Sequence, residues 1–298
     1  MNQRLIICII IILLTLFTIY ICLFKTKPVD NLKKINQLPT KNFFDKTEII
    51  TVKNPIDGKN MLWVDNNFTQ NNWPGVDFQS EQKKSSLKYV LKSGKGVLDI
   101  GAHIGDYGIP MAICLKNMGR SDIHVYCIDP SEDKCKFMEE ICKLNNLTEN
   151  ITIICQGISN REGYFSVKEY GHGHKNQINT GSWQWTPDKN GKFFTTLDKL
   201  YENNIIGDIG FFWLDAQWSE KEILEGGIHY LKKNKPYILM EYDPPTSFEE
   251  DGITIRDYIA GSVKDLKYDK KFRDILNLLN IKILGKLNGF DDILLKVR

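Results

Sequence analysis

The chain of 298 residues is 42% hydrophobic, which is enough to build one large α/β domain with a buried core. Its 39 basic and 37 acidic residues nearly balance, and no basic cluster indicates a nucleic-acid-binding face, so no nucleic-acid partner is expected. None of the seven cysteines belongs to a Cys-x-x-Cys pair, which disfavours structural zinc, and nothing in the chain requires an oxidising compartment.

An uncharged run of 20 residues, 5–24, lies near the N-terminus. As a helix it would be about 30 Å long, the thickness of the hydrocarbon core of a bilayer. Because no small-residue cleavage site follows it, residues 1–27 are predicted to be a retained single-pass membrane anchor rather than a cleaved signal peptide. Lysines after the run favour a cytosolic main domain, whereas three Asn-x-Thr sequons would matter only in a secretory lumen, so the side of the membrane stays open.

Residues 28–79 are predicted to form a stalk and an N-terminal hairpin extension. The segment 25–42 is polar and contains two prolines, as a stalk does. Apolar runs at 48–52 and 60–64 then flank an Asp57-Gly58 turn, a pattern typical of a β-hairpin. A short helix over 80–92 leads into the main domain, 80–298.

Short apolar strands alternate with helical segments in the main domain. Strands are predicted at 96–101, 123–129, 151–155, 164–167, 209–216 and 236–242, and helices at 109–118, 131–146, 195–203 and 220–234. This alternation predicts an α/β fold with a mostly parallel sheet covered on both faces. The last two strands, 281–287 and 292–298, are joined by a turn at Asn288-Gly289, so the sheet should finish with an antiparallel hairpin, one strand of which inserts against the others.

The glycine-containing stretch 97–108, VLDIGAHIGDYG, is the first candidate for a binding loop. Its form is Asp99-x-Gly101-x-x-x-Gly105, between a strand and a helix. His103 stands where a dinucleotide fingerprint needs glycine, and no Gly-Lys-Ser/Thr follows, so NAD-type and P-loop sites are disfavoured. A loop without a phosphate cradle suits an adenosine ligand such as S-adenosylmethionine, whose ammonium Asp99 could hold and whose carboxylate could meet backbone N–H groups of the loop, including that of Ala102.

Two further residues fit the same ligand. Asp129 ends the second strand, 24 residues after Gly105, and a carboxylate there can accept both hydroxyls of a ribose. Gln156 follows the third strand and could contact the adenine edge. Asp99 and Asp129 each have an alternative role as a cap of the following helix.

These blocks, in this order, resemble the FkbM family of S-adenosylmethionine-dependent methyltransferases over residues 96–242. The resemblance implies a Rossmann-like, seven-stranded methyltransferase sheet and O-methylation, since family members typically methylate hydroxyls of sugars or polyketide-like products. Carried over by position, Asp99, Gly101 and Gly105 would line the methionine end of the cofactor. Asp129 would hold the ribose, and Asp215 would face the methyl group and the acceptor.

The chain departs from the family pattern at two places. The family usually has Asp-Val-Glu-Gly where this chain has Asp215-Ala216-Gln217-Trp218, and it often has Asn where this chain has His103. Gln217 and Trp218 are therefore candidate determinants of the acceptor. Glu241 matches a family acid at the end of the following strand and is also a candidate substrate contact.

A hydroxyl is a poor nucleophile at neutral pH, so a general base is useful. Asp215 is the first candidate, with a purely orienting role as the alternative. His172 and His174 are the second. Asp215, Glu241 and Asp243 could also ligate a divalent cation, although three acids at neighbouring strand ends more often line a polar cleft without one.

Two insertions, near 169–192 and 244–268, are predicted to flank the acceptor site. Trp183 and Trp185 alternate in the first, a pattern that suits a substrate lid or, alternatively, a β-hairpin that packs its own aromatic rings.

Together these features predict a membrane-anchored O-methyltransferase acting on a glycan, glycolipid or related small-molecule hydroxyl. One alternative is a catalytically silent methyltransferase-like module that tethers a partner at a membrane. Another is a nicotinamide-dependent dehydrogenase, which His103 and the closing hairpin disfavour.

Overall fold

The computed structural model describes residues 48–65, 76–169, 183–217, 219–241, 270–286 and 292–298. They all belong to one compact unit, Lys41–Arg298. The predicted anchor, 1–27, and the predicted stalk lie outside the described residues, and so does most of both predicted insertions. Within the described ranges, no helix is long and apolar enough to cross a bilayer.

Thirteen strands and seven helices are assigned in the described part of the chain. The strands are β1 (Glu48–Lys53), β2 (Asn60–Asp65), β3 (Gly96–Ile100), β4 (Val125–Ile128), β5 (Ile151–Ile154), β6 (Gly157–Ile158), β7 (Gly163–Glu169), β8 (Trp183–Pro187), β9 (Lys192–Thr195), β10 (Ile209–Leu214), β11 (Tyr237–Met240), β12 (Ile281–Lys286) and β13 (Ile293–Val297). The helices are α1 (Ser80–Ser93), α2 (Gly108–Asn117), α3 (Glu132–Leu144), α4 (Leu197–Glu202), α5 (Glu220–Glu225), α6 (Ile228–Asn234) and α7 (Lys270–Leu278).

The central sheet has seven strands in the order β12-β13-β11-β10-β3-β4-β5. β10, β11, β3, β4 and β5 are parallel, and β13 lies antiparallel between β11 and β12. The predicted mostly parallel sheet with an inserted C-terminal hairpin is therefore confirmed. The chain runs outward from β3 through β4 to β5 and then resumes on the other side of β3 with β10. Ligands of open α/β sheets bind at such a switch point, beyond the carboxyl ends of the strands.

Both faces of the central sheet are covered, which explains why its inner strands are largely apolar. Val97 and Phe211 point into a core shared with α1, α2 and α3, whereas Leu98 and Phe212 point into a core shared with α4 to α7. Adjacent residues of one strand thus enter opposite cores, because side chains alternate across a sheet.

The N-terminal hairpin forms as predicted, with β1 and β2 antiparallel. It packs directly on the main domain. Trp63 is 3% exposed and meets Phe137 of α3 edge-on, with ring centroids 6.3 Å apart. Asn145, at the end of α3, donates to the carbonyl of Leu62 at 2.8 Å and accepts from its backbone N–H at 3.0 Å. The hydrophobic core therefore continues into this hairpin.

The predicted strand at 164–167 does not belong to the central sheet. It corresponds to β7, which lies in a separate sheet of order β6-β9-β7-β8 and pairs antiparallel with β8 and β9. The cause is visible in its burial: Phe165 is buried against Phe194, whereas the neighbouring Tyr164 is exposed. A strand with one apolar face suits an outer antiparallel layer rather than a doubly covered sheet.

One predicted helix differs from the structure, and one observed helix was not predicted. The helix predicted over 220–234 is broken into α5 and α6 at Gly226-Gly227, where a β-carbon on Gly226 would overlap the carbonyl oxygen of Ser159. α7 was not predicted. It nevertheless buries Phe272, Ile275 and Leu276 on one face.

Candidate active site

A cleft opens beyond the carboxyl ends of β3, β4 and β10 and gathers most of the residues selected from the sequence. The selected residues that line it are Asp99, Gly101, Ala102, His103, Asp129, Gln156, Trp185, Asp215 and Gln217. Glu241 joins the group through a hydrogen bond from Gln217. His172, His174, Trp218 and Asp243 lie outside the described residues, as does the side chain of Trp183.

The glycine loop needs glycine at both predicted positions. Gly101 has φ +80°, and a β-carbon there would overlap the backbone carbonyl of Asp215. Gly105 has φ +79°, and a β-carbon would meet Ile109 Cδ1 at 2.6 Å. Such φ values are strained for residues with side chains. Both glycines are therefore required by close packing within the protein. Gly101 lines the cleft, whereas Gly105 packs against Ile109 and Met138 and does not line it, contrary to the prediction that it contacts the cofactor.

His103 fixes this loop to the neighbouring strand. It is buried with φ +50°, and its backbone N–H donates to Asp129 Oδ2 at 3.1 Å. Burial, together with the nearby charge of Lys134, lowers the pKa of His103 well below its usual range. The imidazole is therefore neutral at physiological pH.

Asp129 is held in a fixed orientation at the end of β4. Its Oδ1 accepts from the backbone N–H of Ser131 at 2.8 Å, and its Oδ2 lies 3.6 Å from Lys134 Nζ. With the bond from His103, two backbone N–H groups fix a carboxylate that is only 4% exposed. A carboxylate has about four lone-pair sites, so acceptor capacity remains on the side facing the cleft. The residue fits the diol of a ribose.

Asp99 combines two roles that the sequence leaves as alternatives. Its Oδ2 accepts from the backbone N–H of Gly108 at 2.9 Å, so it caps the start of α2. It also lines the cleft, although it is only 1% exposed. Burial, and then the negative charge of Asp106, raise the pKa of Asp99 well above its usual value.

A buried ion pair beside the loop was missed by the sequence analysis. Lys83 of α1 is fully buried, and its Nζ lies 2.7 Å from Asp106 Oδ2 and 3.1 Å from the carbonyl oxygen of Val76. Asp106 lines the cleft. A lysine in a polar helix gives no local signal of burial. The aspartate, which lies inside the glycine-containing stretch, was the available clue.

An aromatic pair forms another part of the cleft that the sequence did not indicate. Trp213 of β10 lines the cleft and stacks on Tyr107, with ring centroids 4.0 Å apart and planes at 19°. Trp213 lies in an apolar predicted strand and Tyr107 in the glycine-containing stretch, and neither local pattern indicates that the two rings stack.

Three carboxylates and one amide meet at the ends of β10 and β11. Gln217 Nε2 donates to Asp215 Oδ1 and to Glu241 Oε2, each at 3.0 Å. Glu220, a residue not selected from the sequence, accepts from the backbone N–H of Ala216 at 2.8 Å. Oxygens of Asp215, Glu220 and Glu241 lie within 4.8 Å of one another, the spacing of a candidate divalent-cation site.

The electrostatic environment of Asp215 is suited to accepting a proton. Burial raises the pKa of Asp215 above its usual value, and side-chain hydrogen bonds with Glu241 and Gln217 partly oppose the rise. A carboxylate with a raised pKa is a stronger base than an exposed one. Gln217, with φ +47°, is held in a turn conformation that aims its amide at both acids.

A family model, the methyltransferase FkbM domain, matches residues 99–286, more than half of the chain. The sequence is 29% identical over 68 residues to ribosomal RNA small subunit methyltransferase G of Frankia alni. That match covers 23% of this chain and 24% of the relative, so it spans about a quarter of the relative's length.

Solved structures of low identity resemble the chain. One is a methyltransferase FkbM from Methylobacillus flagellatus, 13% identical with a TM-score of 0.39, and the match covers 76% of this chain and 56% of that one. Another is a SAM-dependent methyltransferase from Aquifex aeolicus, 15% identical with a TM-score of 0.41, covering 78% and 97%. A third is an O-methyltransferase from Bacillus cereus in complex with SAH, 14% identical with a TM-score of 0.38, covering 74% and 81%.

The family match begins at Asp99, within the glycine-containing stretch, and extends into β12. It therefore includes the glycine loop, Asp129 and Asp215, the positions on which the resemblance rests. The chain belongs to the FkbM family of S-adenosylmethionine-dependent methyltransferases.

Proposed function

We propose that this protein transfers a methyl group to a hydroxyl oxygen of a glycan, a glycolipid or a related small molecule. The observation that carries the proposal is the position and environment of Asp215. It is a half-buried acid with a raised pKa at the end of β10, and it lines the same cleft as the glycine loop and Asp129. A base at that place meets the main chemical need of hydroxyl methylation.

Several residues that line the cleft have groups that could bind S-adenosylmethionine. Asp129 would accept hydrogen bonds from the ribose hydroxyls, and the backbone at Gly101 would meet the methionine end. Gln156 also lines the cleft and would contact the adenine edge. When bound, S-adenosylmethionine supplies an electrophilic methyl group, so the protein's task is to align an acceptor oxygen with it.

Asp215 accepts the proton of the acceptor hydroxyl as the oxygen becomes nucleophilic. Gln217 holds Oδ1 of this carboxylate, and Glu241 shares a side-chain hydrogen bond with the same residue. The amide of Gln217 also binds Glu241, so the two acids and the amide form one network, which the acceptor hydroxyl would join. General-base assistance of this kind contributes about 10²–10⁴ in rate.

We further propose that residues 1–27 anchor the enzyme in a membrane. The uncharged run 5–24 supports this, because its length matches the hydrocarbon core of a bilayer. An anchored enzyme acts most efficiently on acceptors held at the same surface.

The test is methyl transfer by the full-length chain in detergent from radiolabelled cofactor to a panel of glycosides, with and without Mg²⁺. We expect transfer to at least one acceptor. Asp215→Asn should reduce the rate about 10²-fold or more and leave S-adenosylhomocysteine binding intact. Asp208→Asn, an exposed acid just before β10, is the matched control and should behave as wild type. Absence of S-adenosylhomocysteine binding at millimolar concentration would refute the proposal.

A catalytically silent binding module is the second candidate, and Gln217 is the residue that favours it. Its amide satisfies an oxygen on both Asp215 and Glu241 in place of the glutamate usual in the family. A silent module predicts cofactor binding with no transfer to any acceptor in the panel, and Gln217→Glu would then restore transfer.

A further inference from the structure

A second cleft of about 400 Å³ adjoins the cleft at the carboxyl ends of β3, β4 and β10 and shares a wall with it. The shared wall includes Trp185, Phe194, Gln217 and Ser219. A molecule held in the second cleft therefore lies next to the acidic group around Asp215. This placement is what a methyl acceptor needs.

One side of the second cleft consists of aromatic rings. Trp185 of β8 lies 4.9 Å from Phe194, and Phe165 lies 4.7 Å from the same ring, measured between centroids. Trp185 is partly exposed, whereas Phe165 and Phe194 are buried behind it. A supported, partly exposed indole presents a flat apolar face, which suits the face of a sugar ring or another flat ring.

The second cleft is also lined by two basic residues, Lys271 and Arg161. Lys271 of α7 lies 2.9 Å from Glu222 and 3.4 Å from Glu225, so its positive charge is already compensated by two carboxylates. Arg161, in the turn between β6 and β7, is exposed and lines the same cleft. No ion pair joins its guanidinium to another residue of the described ranges. The arginine is therefore available to an anionic ligand, which its planar donor group can bind in a bidentate manner.

We infer that the second cleft is the acceptor site and that the acceptor is a ring-bearing molecule with an anionic substituent. The ring lies on Trp185, and a carboxylate or phosphate binds Arg161. The hydroxyl then faces the wall that carries Gln217. The identity of this site as the acceptor site rests on the proposed function, whereas the selectivity for an anionic sugar is a binding property that stands on its own.

The experiment measures binding to the full-length chain in detergent, saturated with S-adenosylhomocysteine. Three probes are compared by calorimetry: methyl glucuronide, glucose 6-phosphate and the neutral methyl glucoside. We expect at least one anionic probe to bind about fivefold more tightly than the neutral one, as for a partly exposed charge-assisted hydrogen bond. A preference between the two anionic probes identifies carboxylate or phosphate as the group recognised, and either preference supports the inference.

Two substitutions of arginine make the test specific. Arg161→Gln should abolish the difference between anionic and neutral probes and leave S-adenosylhomocysteine binding unchanged. Arg273→Gln removes an exposed arginine of α7 that does not line the cleft, so it should preserve the difference. Both side chains are exposed, so both variants should fold. Trp185→Leu should weaken binding of all three probes together.

Equal affinity for the neutral and anionic probes would overturn the inference, and so would unchanged selectivity in Arg161→Gln. No binding of either anionic probe at millimolar concentration would overturn it as well. Failure of the proposed function looks different: anionic probes would bind in an Arg161-dependent manner, yet no methyl group would be transferred to any acceptor.

Discussion

Replacing Asp129 by asparagine changes one oxygen of the candidate ribose site into an amide. In the native protein, Oδ1 accepts from Ser131 and Oδ2 accepts from His103, both through backbone N–H groups. An asparagine oxygen can keep only one of these bonds. Its NH2 group must then face a second backbone donor and the nearby Lys134 ammonium, since it has no acceptor to offer.

The expected loss of affinity follows from the hydrogen bonds that the ligand forfeits. A hydrogen bond to a charged, buried acceptor contributes about 1.5–3 kcal/mol. Asp129 is only 4% exposed, so solvent screens little of that energy. Loss of one ribose bond should therefore cost about 2 kcal/mol of binding, a factor of about 30 in Kd. Release of the loop at His103 adds to this cost.

Calorimetry with S-adenosylhomocysteine measures the change, and urea denaturation of the same samples separates weak binding from unfolding. Asp133→Asn is the matched control, because it alters an acid in the first turn of α3 that does not line the cleft. A Kd for Asp129→Asn within twofold of wild type would refute the assignment of Asp129 to the ribose.

Three further predictions, two substitutions and one pH dependence, test the site. Gly101→Ala should lower the free energy of unfolding by at least about 3 kcal/mol, because φ is +80° and the new methyl would overlap the backbone of Asp215; urea denaturation measures it. The methyl-transfer rate should rise with pH through a pKa above that of an ordinary aspartate, since burial raises the pKa of Asp215 and only its ionised form accepts a proton; a pH–rate profile of kcat measures it. Lys83→Met should destabilise the fold by about 3–5 kcal/mol, because it leaves Asp106 without its cation; thermal and urea unfolding measure it.

The two substitutions have controls in the chain. Gly58 has φ +71°, but no atom lies within 4 Å of the place where an added methyl would stand. Gly58→Ala should therefore lower the free energy of unfolding by only about 1 kcal/mol. An equal loss in both glycine variants would contradict the role of the overlap. Adding Asp106→Asn to Lys83→Met should recover part of the lost stability; no recovery would speak against an unpaired charge as the cause. An acid limb at the pKa of an exposed aspartate would contradict the effect of burial on Asp215.

Local patterns in the sequence determine the main sheet and the cofactor loop. Apolar runs such as 209–214 give buried strands, and a glycine at each end of 101–105 gives the turn between β3 and α2. Asp129 could be placed because it ends a strand at a characteristic distance from that loop. All of these signals lie within a few residues of the feature that they predict, so chain order is enough to find them.

Contacts between elements that are distant in the sequence could not be predicted from these local patterns. The sequence around Phe165 has the pattern of a main-sheet strand. In the structure, Phe165 packs against Phe194, and its strand belongs to the outer sheet. Lys83 looks like a surface residue until the approach of α1 to the glycine loop buries it against Asp106. Periodicity describes one element at a time and contains no information on which element packs against it.

The sequence by itself determined the family, the parallel sheet and the loop around Gly101, because these depend on local order along the chain. Only the tertiary structure decided that Gln217 bridges Asp215 and Glu241, and that Arg161 and Trp185 line the same second cleft. Their partners lie on different strands and turns, and the order of strands in each sheet sets the distances between them. The cofactor can therefore be inferred from the sequence, whereas the chemistry of the acceptor site depends on contacts that form only on folding.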